Sequence, residues 1–67
     1  MNIAEQAQLL MAQGFGCRAV AMYRKLIATE PSTENYLMLA ELYAQQGLFD
    51  DAAEMHTKAI TLMCKAF

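Results

Sequence analysis

The sequence predicts an all-α fold in which four helices pair as two antiparallel hairpins. The chain has 67 residues, enough for one domain at most, and 57% of them are hydrophobic. Ala, Leu and Met, which favour helices, supply most of the apolar residues, whereas valine, which favours strands, occurs once. Apolar residues recur at helical spacing in four segments, and glycine or proline separates these segments.

The predicted helices span residues 3–13, 17–29, 33–45 and 50–65. Asn2 and Glu5 form a capping box at the start of the first helix, and Ser32 or Thr33 can cap the third. Residues that end a helix stand at each break: Gly14, Gly16, Pro31 and Gly47. Connections of two to five residues place consecutive helices antiparallel.

Each predicted helix carries an apolar stripe that should face the core. The stripes are Ile3, Ala7 and Leu10; Ala19, Tyr23, Leu26 and Ile27; Tyr36, Leu39, Ala40 and Tyr43; and Ala52, His56, Ala59, Ile60 and Met63. The third helix has further apolar residues outside its stripe, so we expect it to have neighbours on several sides.

The two halves of the chain align when one is shifted onto the other, which indicates an internal repeat. At a single constant shift the aligned pairs are Ile3 with Tyr36, Ala7 with Ala40, Leu10 with Tyr43, Gly14 with Gly47, Ala19 with Ala52, Tyr23 with His56, and Ile27 with Ile60. Small residues at these positions would let two helix backbones approach closely, and large residues would fill the space beside them.

The second half reads Tyr36-x-x-Leu39-Ala40-x-x-Tyr43, then Gly47-x-Phe49-x-x-Ala52-x-x-x-His56-x-x-Ala59-Ile60. This pattern resembles the tetratricopeptide repeat, a helix-turn-helix unit that recurs along a chain. The resemblance implies a single domain, 1–67, made of two such repeats at about 1–31 and 32–65. It also implies that the chain is a fragment of a right-handed α-solenoid.

Four positions depart from the repeat pattern. Gln6 stands where leucine is expected, Gly16 and His56 replace aromatic residues, and Cys64 replaces the closing proline. We interpret His56 as a packing residue that takes the place of an aromatic.

Charge and composition exclude several classes of function. The net charge of −2 lacks the basic excess that nucleic-acid binding requires. No apolar run approaches the roughly 18 residues of a membrane span, and the start of the chain lacks a basic signal-peptide region. We therefore expect a cytoplasmic protein whose two cysteines, Cys17 and Cys64, are free thiols.

The residues that could carry chemistry do not form a recognised constellation. His56, Cys17 and Cys64 lack the number and spacing of zinc ligands, and neither cysteine has an evident base beside it. Phosphate loops, dinucleotide fingerprints and His-Glu-x-x-His are absent from the sequence. We expect no enzyme, no cofactor and no metal; a thiol or metal enzyme is the remote alternative.

The family resemblance implies a concave groove lined by the first helix of each repeat. Its residues would be Ala4, Gln8, Met11, Ala12, Leu37, Glu41, Ala44 and Gln45. In one branch of the family, Lys and Asn in this groove clamp the C-terminal carboxylate of chaperones. Here the matching positions carry no positive charge, and Glu41 would repel a carboxylate. The groove should instead suit an amphipathic helix or an extended apolar segment.

The last helix carries a second candidate interface. A terminal repeat normally has a polar outer face, but this helix has apolar residues where a following helix would pack: Met55, His56, Ile60, Met63 and Phe67. An exposed apolar stripe marks an interface, so we expect a homo-oligomer or a hetero-complex.

These observations predict a protein-protein interaction module without nucleic-acid or membrane partners. Short tetratricopeptide chaperones of type III secretion systems, which shield amphipathic helices, offer a comparison by size and fold alone, so a small bacterial chaperone or adaptor is one specific form of the prediction. The alternative is a self-assembling structural scaffold whose interface is filled by its own copy.

Overall fold

The computed structural model describes residues 2–66, which form four helices. They are α1 (Ile3–Ala12), α2 (Gly16–Thr29), α3 (Thr33–Gln45) and α4 (Phe49–Ala66). No strand occurs within this range, and each helix packs against the next one along the chain. The predicted all-α fold of helical hairpins is confirmed, with every helix end within one residue of its predicted position.

Polar side chains cap the first helix of each hairpin. The Oδ1 atom of Asn2 accepts a hydrogen bond from the Glu5 amide at 2.8 Å, and the Oγ atom of Ser32 accepts one from the Asn35 amide at 3.1 Å. Each bond satisfies an amide that has no partner inside its helix. Of the two residues predicted to cap α3, Ser32 does so.

The same turn ends α1 and α3. Gly14 and Gly47 have φ angles of 86° and 79°, in the left-handed region that favours glycine. In both turns the amide of the residue after the glycine donates to the carbonyl five residues back, at 2.7 Å in the first turn and 2.9 Å in the second. This is the Schellman motif, and its recurrence at the aligned glycine of the second half matches the predicted repeat.

Alanine is the most frequent residue in the core, and every helix contributes at least one buried alanine. The buried residues are Ala7, Ala19, Val20, Tyr23, Leu39, Ala40, Leu42, Ala52 and Ala59, and none of the buried side chains described belongs to a charged residue. Alanine lets two helix backbones approach closely, which is the role predicted for the small residues at the repeated positions. Larger side chains from α1, α2 and α3 then join the two hairpins in one cluster.

Gly16 lies where the first hairpin approaches the end of α3. A Cβ atom at this position would stand 2.9 Å from Cδ of Gln46 and 3.1 Å from Sδ of Met11. The Gln46 side chain is held there by a hydrogen bond from its Nε2 to the Leu42 carbonyl, 3.2 Å long. An aromatic residue, which the repeat pattern expects at Gly16, would displace this side chain.

The predicted core stripe of α4 is wrong for three of its five residues. Ala52 and Ala59 are buried, but His56, Ile60 and Met63 are exposed. The interpretation of His56 as a packing residue is therefore also wrong. Within residues 2–66 no helix follows α4 to cover these three side chains.

Candidate functional site

The predicted groove residues lie on the surfaces of α1 and α3. Ala4, Met11 and Ala44 are half-buried, and the other five, Gln8, Ala12, Leu37, Glu41 and Gln45, are exposed. A hydrogen bond from Gln8 Nε2 to Met38 Sδ, 3.7 Å long, joins the two helices. Gln45 Nε2 donates to Glu41 Oε1 at 3.5 Å, so one acidic group of this surface has a partner on its own helix.

The hollow at this surface belongs to α1. It has a volume of about 490 Å³ and is lined by Asn2, Ala4, Glu5, Gln8 and Leu9. None of the residues predicted from α3 lines it. The hollow is open and shallow, and it holds only two of the eight predicted groove residues.

A more enclosed cleft of similar volume lies between α2 and α4, with α3 as its floor. Its volume is about 500 Å³, and its lining is Val20, Arg24, Ile27, Tyr36, Leu39, Tyr43, Asp51, Glu54, Met55 and Lys58. Val20 and Leu39 are buried, and Met55 and the two tyrosines are half-buried. The cleft thus has apolar and aromatic residues at its base, but most of the surface that it exposes is polar, because the charged groups stand on its two sides. We call it the α2–α4 cleft.

Charges of both signs border the α2–α4 cleft. Arg24 lies on the α2 side, and Asp51, Glu54 and Lys58 lie on the α4 side. The Nζ atom of Lys58 is 3.9 Å from Oε1 of Glu54, an exposed pair one helical turn apart. An exposed pair of this kind contributes little to stability, so these groups can exchange partners with a bound ligand at small cost.

A third hollow of about 230 Å³ continues the cleft toward the N-terminal end of α2. It shares Val20, Arg24 and Tyr43 with the α2–α4 cleft and adds Cys17, Ala21, Gln46 and Leu48. On α2 the combined surface extends from Cys17 to Ile27, which is about 15 Å at a rise of 1.5 Å per residue. That length matches about three turns of a bound helix.

The α2–α4 cleft was not predicted from the sequence. Periodicity identified Tyr36, Leu39 and Tyr43 as core-facing, but it did not show how far α2 and α4 would close over them. The sequence does contain one indication of the cleft. Arg24 lies four residues after Val20 and three before Ile27, so a cation stands on the apolar face of α2.

Only some of the residues predicted for the outer face of α4 are exposed there. His56, Ile60 and Met63 are exposed together, Ile60 by 57%. Met55 instead packs against the core and lines the α2–α4 cleft. Phe67 lies outside the described residues. The structure adds two exposed residues that the prediction omitted, Phe49 and Ala53.

Within residues 2–66, no three His, Cys, Asp or Glu side chains are grouped so that they could hold a metal ion. Cys17 and Cys64 are exposed and unpaired. In the same range no helix combines the length and the apolar character needed to cross a bilayer.

Comparison of the chain with protein-family models, with curated proteins and with solved structures found no match.

Proposed function

We propose that this protein is an interaction module that binds an amphipathic helical segment of another protein in the α2–α4 cleft. One observation carries the proposal: an enclosed hollow with apolar and aromatic residues at its base, and charged groups of both signs on its two sides, lies between two helices. A helix bound in such a groove buries its apolar face on the floor and places its polar edges beside the rims. We propose no catalytic role.

The lining of the cleft specifies what the bound helix should carry. Its apolar residues would repeat at i, i+3 or i+4, and i+7, and would contact Val20, Ile27 and Met55. An acidic residue on one edge would pair with Arg24, and a basic residue on the other would pair with Asp51 or Glu54. The predicted groove on α1 and α3 lacks a comparable enclosed floor.

Family membership and cellular role belong to the same proposal. The buried alanine pairs Ala7 with Ala40 and Ala19 with Ala52, which occupy equivalent positions in the two halves, support a two-repeat tetratricopeptide protein. A chaperone or adaptor that shields an amphipathic helix, as the short type III secretion chaperones do, is the role we propose. The exposed free thiols of Cys17 and Cys64 support a reducing, cytoplasmic location.

The test is selection from a displayed library of amphipathic helical peptides about 12 residues long, the length that about three helical turns require. We expect enriched peptides with the apolar spacing above and an acidic edge. Binding should fall at least about tenfold for Arg24→Glu, since charge reversal replaces an attractive contact by a repulsive one. Leu37→Glu, on the predicted groove of α3, is the matched control and should keep binding.

Two outcomes would count against the cleft. Peptides that lose binding to Leu37→Glu but not to Arg24→Glu would move the site to the predicted groove. Failure to enrich any amphipathic helix would remove this class of ligand altogether.

A further inference from the structure

The third hollow, at the N-terminal end of α2, exposes a different kind of surface from the α2–α4 cleft that it continues. Most of the surface that the cleft exposes is polar, whereas most of the surface that the third hollow exposes is apolar. Asp51, Glu54 and Lys58 line the cleft alone, and of the described residues that line the third hollow only Arg24 is charged. A helix that spans both should therefore make its charged contacts in the cleft and an apolar contact in the third hollow.

The volume of the third hollow suits a single side chain. It measures about 230 Å³, and a cavity of about 150 Å³ is large enough to bind one benzene molecule. A helix with its side chains is about 10–12 Å across, so the backbone of a ligand stays outside. One aromatic ring or one leucine side chain can enter.

The wall of the third hollow on the α3 side is held in place by the fold. Gln46 is half-buried, and its Nε2 donates to the Leu42 carbonyl at 3.2 Å. A Cβ atom at Gly16 would stand 2.9 Å from Cδ of Gln46, so glycine at this position leaves the wall undisturbed. A wall that is ordered before the ligand arrives lowers the entropic cost of binding.

The lining of the third hollow favours an aromatic ring over an aliphatic side chain. Arg24 supplies a cation that can lie over the face of a ring. Tyr43, which is half-buried, supplies a second ring for edge-to-face packing. Both contacts add to the area that any large apolar side chain would bury there.

On the basis of the proposed function, we propose that the third hollow is the anchor subsite for the helix bound in the α2–α4 cleft. It accepts one large apolar side chain of the ligand, with phenylalanine preferred. Val20, Arg24 and Tyr43 line both hollows, so one ligand can span them without a break. The anchor residue is then at the end of the ligand beside the α3–α4 turn, which Leu48 contributes to the lining. A side chain seated in a pocket in this way supplies a large share of the binding free energy.

Cys17 lines the third hollow and reports whether it is occupied. Cys17 and Cys64 are exposed free thiols, so a Cys64→Ser background leaves Cys17 as the one cysteine of the chain. Saturating peptide from the selected library should slow alkylation of Cys17 by iodoacetamide at least about tenfold, since alkylation requires access to the thiolate. Alanine at the anchor position of the peptide should restore fast alkylation at saturation and weaken binding at least about tenfold, and leucine should be intermediate. Alanine at its other apolar positions should weaken binding and leave Cys17 protected.

Ala21→Phe tests the subsite from the side of the protein. Ala21 is exposed on α2 and lines the third hollow, so the added ring should occupy the space that the anchor needs. The variant should bind the phenylalanine-anchored peptide at least about tenfold more weakly than the wild type does, and the alanine peptide equally well. Ala28→Phe changes an exposed alanine of α2 that lines neither hollow; it is the matched control and should bind both peptides as the wild type does.

Three results would overturn the anchor subsite. Fast alkylation of Cys17 with the peptide bound, or an equal loss of affinity for both peptides in Ala21→Phe, would show that no ligand side chain enters the third hollow. Protection of Cys17 at high protein concentration without peptide would assign the hollow to a second copy of the chain. In each case, peptide binding that still depends on Arg24 leaves the proposed function standing, whereas failure to bind any helical peptide removes both proposals.

Discussion

At the scale of single residues, the two helical hairpins depend on a glycine at each reversal. Gly14 and Gly47 take φ angles of 86° and 79°, and neither has a neighbour within 4 Å of the position where a Cβ would stand. Backbone conformation, and not space, therefore requires glycine at these positions. A residue with a Cβ in this conformation brings that atom close to the following carbonyl oxygen.

Gly47→Ala should lower the free energy of unfolding by about 1–2 kcal/mol, the cost of a left-handed conformation for an L-residue. Gly47→Asn should cost less, since asparagine tolerates this region better. Urea denaturation followed by circular dichroism measures both variants. Equal stability of wild type and Gly47→Ala would show that the turn does not constrain the chain as described.

The buried phenol of Tyr23 predicts a decline in stability at alkaline pH. Tyr23 is 2% exposed, and desolvation by burial raises the pKa of its hydroxyl above the ordinary value of 10.0. The folded state thus holds this proton more tightly than the unfolded state does. The contribution of this group to the free energy of unfolding is fully present below its unfolded-state pKa of 10.0 and is lost as the pH rises beyond that value.

Denaturation of wild type and Tyr23→Phe at several pH values between about 8 and 11 tests this linkage. The variant should lose less stability over the alkaline half of the range. Parallel curves for wild type and Tyr23→Phe would show that the Tyr23 hydroxyl does not cause the decline.

At the scale of elements, α3 is central to the fold because it packs against α2 on one side and α4 on the other. Its side chains include Leu42, the largest residue that is fully buried. They also include Leu39, which forms part of the floor of the α2–α4 cleft. The stability of the chain and the shape of its candidate site therefore depend on the same helix.

Leu42→Ala should cost about 2–5 kcal/mol, because it removes a fully buried side chain and leaves a cavity. A chain of this length has roughly 3–10 kcal/mol of total stability, so the variant should be largely unfolded at elevated temperature. Leu37→Ala, on the same helix but 39% exposed, should cost less than about 1 kcal/mol. Thermal melts compare the two variants, and similar melting temperatures would contradict the assigned burial.

Periodicity and punctuation predicted the helices well because the causes are local. Asn2, Ser32, Gly14 and Gly47 each act within a few residues of the helix end that they set. The faces of α4 were harder to assign. His56 and Ala59 both fit an apolar stripe, but only Ala59 is buried. Which part of a broad apolar face is covered depends on neighbouring helices, and those lie far away in sequence.

At the scale of the whole molecule, the α2–α4 cleft and the exposed apolar side chains of α4 lie on different faces of that helix. Met55 lines the cleft, whereas Ile60 and Met63 are exposed outside it. The described chain has two hairpins, and the cleft lies where α2 of the first hairpin and α4 of the second flank α3. Our proposal assigns a helical ligand to this cleft.

The cleft itself remained beyond sequence prediction because it is a gap between α2 and α4, two helices that are not consecutive in the chain. No local pattern reports the width of such a gap. The same limit explains why the eight residues predicted for the α1–α3 groove share so little enclosed surface, with only Ala4 and Gln8 in a common hollow.

A methyl-resonance titration of the protein with a selected amphipathic peptide tests directly whether the ligand lies in the α2–α4 cleft. We expect shifts at the methyl groups of Val20, Ile27 and Met55, which line the cleft, with Leu37 and Met11 unchanged. Shifts at Leu37 and Met11, with Val20 and Ile27 unchanged, would contradict it and would place the ligand in the groove between α1 and α3.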